Sequence, residues 1–216
     1  PPQLLAAANF SALPFTDPLG FLGSEPYTLI SLFSSIFIAQ AAASALAKEE
    51  TDGTAEFLLA KPIGRAGVVL GKAAAVITNL LVLDLALTFS MLIAFTLFID
   101  QAYRAGTLVR LGLGLALLHL AYAAVALWIS ASFRSSRAAG GLALGAVIAG
   151  YFLKVLGLIS DRLAWLGDLS PFTHADSARI IKQAGPSAPD AAVLLGFALA
   201  GLALAFWQYR RKDIQV

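Results

Sequence analysis

Five stretches of the chain are dominated by apolar residues: 27–47, 73–99, 107–130, 138–159 and 191–209. About 20 mainly apolar residues carry an α-helix across the hydrocarbon core of a bilayer, so the pattern predicts five spans, the second long enough to tilt. Breakers and charges separate them: KEETDG, KPIGR, DQAYRAG, RSSR and a long polar-apolar segment over 160–190. No alternating segment of about 10 residues recurs, which argues against a membrane β-barrel. No internal repeat is visible. The expected fold is an all-α, polytopic helix bundle forming one transmembrane domain over 1–216.

Composition strengthens this reading. Apolar residues make up 59% of the 216 positions and charged residues 13%, against about 45–50% and about 25% in soluble domains. The mean hydropathy is +0.80. Disorder, a disulfide framework and most soluble enzymes are excluded. There is no Cys and there are two His, too few for a convincing zinc site, so no metal and no catalytic residue is assigned. The net charge of +2 does not point to nucleic acid, because in a membrane protein the placement of Lys and Arg matters more than their sum.

That placement predicts topology. The face carrying 48–72, 131–137 and 210–216 holds nine Lys and Arg; the other holds or borders six, and residues 1–26 hold none. The first face is expected to be cytoplasmic, with the N-terminus of this chain outside and its C-terminus inside. The chain starts Pro1-Pro2 without a signal-peptide pattern, so a further span upstream is expected.

The loop 48–72 is the most informative stretch. Glu49, Glu50 and Asp52 precede Gly53-Thr54, then Glu56, Phe57, Leu58, Leu59 and Lys61 form a short amphipathic pattern that Pro62 ends. Asp52 or Thr54 is suited to cap it. Such a helix would lie in the membrane interface; an ordinary solvated juxtamembrane loop is the alternative.

The order Glu49, Glu50, Gly53, Thr54, Leu58, Leu59, Lys61, Pro62, Arg65 and Lys72 resembles the signature loop of type-2 ATP-binding-cassette (ABC) exporter permeases. Leu169-Ser170-Pro171-Phe172 resembles that family's motif before its last span, and Arg210-Arg211-Lys212-Asp213-Ile214 its basic tail. The resemblance covers nearly the whole chain. It implies a permease of six spans, of which this chain carries five, in a bacterial or archaeal cell membrane. It further implies pairing with a second permease subunit, as homodimer or heterodimer, and a cytoplasmic ATPase subunit that binds ATP and Mg. The chain itself has no phosphate-binding Gly-x-x-x-x-Gly-Lys-Ser/Thr loop and is not expected to be an enzyme. On this resemblance Glu49, Glu50, Gly53, Thr54, Glu56, Phe57, Leu58, Leu59, Lys61, Pro62 and Arg65 form the ATPase-coupling segment, a short helix suited to docking in a groove.

Polar residues inside spans are costly in lipid. Gln40, Asn79, Asp84 and His119 are of this kind. Asp84 and His119 fall at similar depth on consecutive spans, and their pairing is expected either as interhelical glue or as part of a transport path. Arg110 and Lys154, near outer ends, are expected to snorkel. Gly141 and Gly145, and Gly196 and Ala200, form small-xxx-small rows suited to helix packing or to a subunit interface. Residues 160–190 read as short amphipathic helices at the outer interface, anchored by Trp165, with His174 and Asp176 in a solvated loop; the resemblance implies that this segment is the outer gate region. Two other classes compete. A prenyl-protease-type membrane enzyme would conscript Glu49, Glu50, His119 and His174, but no Arg follows the acidic pair. A secondary transporter without an ATPase would show inverted repeats or broken helices.

Overall fold

The computed structural model describes residues 16–54 and 64–212. Among them every regular element is helical. The long helices are α2 (Glu25–Thr51), α3 (Arg65–Phe98), α4 (Ala105–Ser132), α5 (Ser136–Ile159) and α9 (Ala188–Arg211). Short helices are α1 (Pro18–Gly23), α6 (Ala164–Asp168), α7 (Pro171–His174) and α8 (Ser177–Gln183), with a 3₁₀ turn at Asp161–Leu163. All five long helices are long and apolar enough to cross a membrane. In hydrocarbon an unpaired backbone amide has no water to turn to, and a helix satisfies its own.

The spans run longer than the apolar pattern indicates, most clearly in α3, which begins at Arg65 rather than Ala73. Gly64 precedes this point, and nothing in RAGVVLGK breaks the helix that follows. Val68 and Val69 are buried, so packing holds the added turns. At about 1.5 Å per residue, 34 residues reach about 51 Å, well beyond a hydrocarbon core of about 30 Å.

α4 is the most enclosed span, with 67% of its apolar window buried against 22% for α3. Its Ala, Gly and Leu content makes it apolar on all sides, as a central helix requires. α3 instead turns Leu81, Val82, Leu85, Phe89, Ile93 and Leu97 outward. Outward-facing side chains of this kind suit lipid rather than water.

The chain divides into two compact units. One comprises residues up to 34, 81–118 and 148–194. Its core joins Leu19, Tyr27, Met91, Phe95, Leu108, Leu111, Leu115 and Ile180, and the Tyr27 hydroxyl donates to the Leu111 carbonyl at 3.0 Å. The other comprises 35–80, 119–147 and 195 onward. Its core joins Leu46, Val68, Val69, Ala73, Leu127, Ala131, Ala205 and Tyr209. Here the Ser130 hydroxyl accepts from the backbone amides of Leu46 and Ala47 at 2.9 and 3.0 Å, tying α4 to α2.

Among the described residues, the glycines that the small-xxx-small rows single out do not bring helices together. Gly141, Gly145 and Gly196 face open space, and Ala200 is exposed. Close backbone approaches occur instead at Gly157, against Gly167, and at Gly201, where a Cβ would lie 2.7 Å from the Ala124 carbonyl carbon. Gly201→Ala should therefore lower stability by about 1–3 kcal/mol, read as an earlier unfolding midpoint in detergent. Gly196→Ala should leave it unchanged or raise it.

Candidate functional site

The helix α2 ends in a glycine cap. Gly53 has φ +68°, its amide donates to the Glu50 carbonyl at 3.4 Å, and the Thr54 amide donates to the Glu49 carbonyl at 2.8 Å. This pair of bonds is the Schellman arrangement, which needs a left-handed residue where glycine costs least. The Gly-Thr step thus terminates a span. The Thr54 hydroxyl donates to the Glu49 carboxylate at 2.6 Å, within the same turn.

This cap positions the acidic pair. The Glu49 carboxylate accepts from Lys72 on α3, and the Glu50 carboxylate from Lys212 just beyond α9. Lys212 also donates to the Phe133 carbonyl at 2.8 Å, at the end of α4. Thr51 extends the network: its hydroxyl lies 3.1 Å from the Arg134 carbonyl and accepts from the Ser136 amide at 2.9 Å. Arg65 closes it by donating to the carbonyls of Arg210 and Lys212 at 3.1 and 2.7 Å. A helix leaves its last carbonyls without internal partners; here Arg65, from the start of α3, supplies donors to the end of α9. The ends of α2, α4 and α9 and the start of α3 are joined by charge-assisted bonds, which are about twice as strong as neutral ones, and the start of α5 is tied on by the neutral Thr51–Ser136 bond.

Of the proposed coupling residues, Glu49, Glu50, Gly53, Thr54 and Arg65 therefore belong to one network. Glu56, Phe57, Leu58, Leu59, Lys61 and Pro62 lie outside the described residues.

A second polar cluster lies in the segment 154–190. Asp176 caps α8 through its Oδ1, which accepts from the amides of Ala178 and Arg179 at 3.0 and 3.2 Å. Its Oδ2 accepts from Lys154 Nζ at 2.7 Å, and both side chains are buried. His174 Nδ1 lies 2.8 Å from Asp190 Oδ1 and Nε2 lies 3.0 Å from the Asp168 carbonyl. Asp190 also pairs with Arg179 at 3.3 Å and accepts from the Ser187 hydroxyl at 2.6 Å. Two sequence expectations are corrected here. Lys154 does not snorkel, because a carboxylate is within reach in the protein. His174 and Asp176 are not solvated, because α5 and α9 bring partners to them. An Asp immediately before SARIIKQ is a helix-start signal that identifies the cap, but not the lysine 22 residues earlier. Arg110 is exposed, as snorkelling requires.

Among the intramembrane polar residues, Asp84 is 5% exposed and His119 is fully buried. Each thus avoids the cost of facing lipid. Gln40 donates from Nε2 to the Gly140 carbonyl at 3.0 Å, linking α2 to α5. Asn79 lies on the exposed side of α3.

A family model described as ABC-2 family transporter protein matches residues 4–214. A search of curated proteins finds no match.

The buried Lys154–Asp176 pair gives a direct test. Removing one member leaves the other as an uncompensated buried charge, a loss of about 3–5 kcal/mol. Lys154→Met and Asp176→Asn should each lower the unfolding midpoint sharply. The double variant should cost less than the two single losses combined, in a double-mutant cycle in detergent.

Proposed function

Since the chain belongs to the ABC-2 transporter family and is a membrane permease of an ABC transporter, we propose that it exports its substrate by coupling to a separate ATPase subunit. The nucleotide chemistry, with ATP and Mg, is assigned to that subunit. The chain's part is to bind it, to respond to its movement and, with a second permease subunit, to line the substrate path. The Lys and Arg distribution places the 48–72 side in the cytoplasm, where such an ATPase would sit.

The observation that carries this reading is the network around Glu49 and Glu50. The segment 55–63 is the proposed docking element, with Phe57, Leu58 and Leu59 as its apolar side. Both of its flanks are fixed to other helices: Glu49 to Lys72, Glu50 to Lys212, and Arg65 to the end of α9. A push on the segment would therefore be passed to α2, α3, α9 and the α4–α5 turn together. A solvated loop would need no such attachments at both ends.

Asp84 and His119 are assigned a structural role, as buried hydrogen-bonding groups inside the membrane. Gly141, Gly145, Gly196 and Ala200, open within this chain, are assigned to contacts with the second permease subunit, where small residues let helices approach closely.

Three outcomes follow. Leu58→Asp with Leu59→Asp should abolish co-purification of the ATPase, or its substrate-stimulated activity, while the permease stays in the membrane; unchanged binding and stimulation would refute the docking assignment. Glu50→Lys should reduce stimulated ATPase activity at least about 10-fold, the equivalent of about 1.4 kcal/mol of coupling. The swap Glu50→Lys with Lys212→Glu should restore part of it. Asp84→Asn should keep transport within about 3-fold, since an amide still forms hydrogen bonds; loss of transport in a folded variant would move Asp84 to the substrate path.

A further inference from the structure

At the end of α9 two arginines are left over from the network. Glu49 and Glu50 are taken by Lys72 and Lys212. Arg210 and Arg211 are exposed, and neither forms an ion pair among the described residues. Their side chains border an open cleft of about 730 Å³, whose other lining residues are Ala66, Ala203, Phe206 and Trp207. The Arg211 guanidinium stacks on the Trp207 ring, 4.6 Å from its centroid. Trp207 is itself half exposed, as an indole of the membrane interface is.

We propose that this cleft binds an anionic phospholipid, with the phosphate between Arg210 and Arg211 and the glycerol and first acyl carbons over Ala203 and Phe206. The dimensions fit. From Ala203 to Arg211 the helix rises about 12 Å, and the headgroup region of one leaflet is about 5–8 Å deep. The cleft therefore runs from the headgroup layer into hydrocarbon. Its chemistry changes in the same direction, from two guanidiniums through an indole to a phenyl ring and small aliphatic residues.

A helix C-terminus ordinarily repels an anion, because its free carbonyls carry the negative end of the macrodipole. Arg65 removes that objection here by donating to the carbonyls of Arg210 and Lys212. Stacking on Trp207 holds the Arg211 plane in place, so less side-chain freedom is lost on binding. A guanidinium also suits the planar, two-point recognition of a phosphate better than an ammonium does. The proposal depends on membrane insertion and not on the assignment of the ATPase-docking segment.

The test uses the full chain in lipid nanodiscs, with Trp128→Phe and Trp165→Phe so that Trp207 is the sole indole. Quenching of Trp207 by phosphatidylglycerol with brominated acyl chains is compared with quenching by the matching brominated phosphatidylcholine. Phosphatidylglycerol should be preferred by about 5-fold or more in apparent affinity, the effect of one basic residue near an anionic surface or greater. R210Q/R211Q should abolish the preference and R210K/R211K should retain part of it. The single variants R210Q and R211Q, expected to show intermediate preference, decide the matter where the double variant does not insert. Soluble sn-glycerol 3-phosphate should not compete. Equal quenching by the two lipids would overturn the proposal, as would a preference that survives in the glutamine variants. Full competition by glycerol phosphate would also overturn it, by assigning the arginines to a soluble anion.

Discussion

The absence of water in hydrocarbon governs this protein. A polar group that would be hydrated elsewhere must find its partner inside the chain, at a cost of several kcal/mol if it does not. The long helices meet that demand for the backbone. For side chains the demand is visible in small arrangements: Gln40 on the Gly140 carbonyl, Ser130 under two amides of α2, and Thr78, Ser90 and Thr96 each donating to the carbonyl four residues earlier. Asp84 and His119 are buried in the protein rather than turned to lipid.

The rule also determines what helix ends do. Four carbonyls at every C-terminus lack helical partners, and in this chain they are met by devices that join one helix to another. Gly53 turns the end of α2 back on itself. Arg65 takes the carbonyls of α9, and Lys212 takes that of Phe133 after α4. Satisfying termini in this way makes one network of the ends of α2, α4 and α9 and the starts of α3 and α5. The coupling role proposed for the segment draws on this attachment at both of its flanks.

The cluster at 154–190 applies the same logic with different groups. Short helices of four to seven residues are too short to be stable alone. Here capping and charge pairing hold them: Asp176 caps α8 and meets Lys154, Ser170 caps α7 and donates to the Gly150 carbonyl at 2.6 Å, and His174 meets Asp190. Each bond joins a short helix to a long one. These polar contacts act together with the buried side chains of Phe172, Ala178 and Ile180.

The sequence by itself determined the five spans, the all-helical class and the family resemblance. Those depend on local composition, and an apolar run of 20 residues has one stable answer in a bilayer. The Gly-Thr step was legible too, though as a motif and not yet as the cap of α2. Only the tertiary structure decided which polar residues meet. Lys154 with Asp176 and Glu50 with Lys212 are separated by 22 and 162 positions, and no periodicity in the chain encodes which helix faces which. The same limit explains the glycines. Gly141, Gly145 and Gly196 fit a packing pattern, yet Gly157 and Gly201 are the ones against a neighbouring backbone, at Gly167 and Ala124. In spans this rich in Ala and Gly many faces permit close approach, and helix rotation and register, fixed by packing of the whole core, select the one that is used.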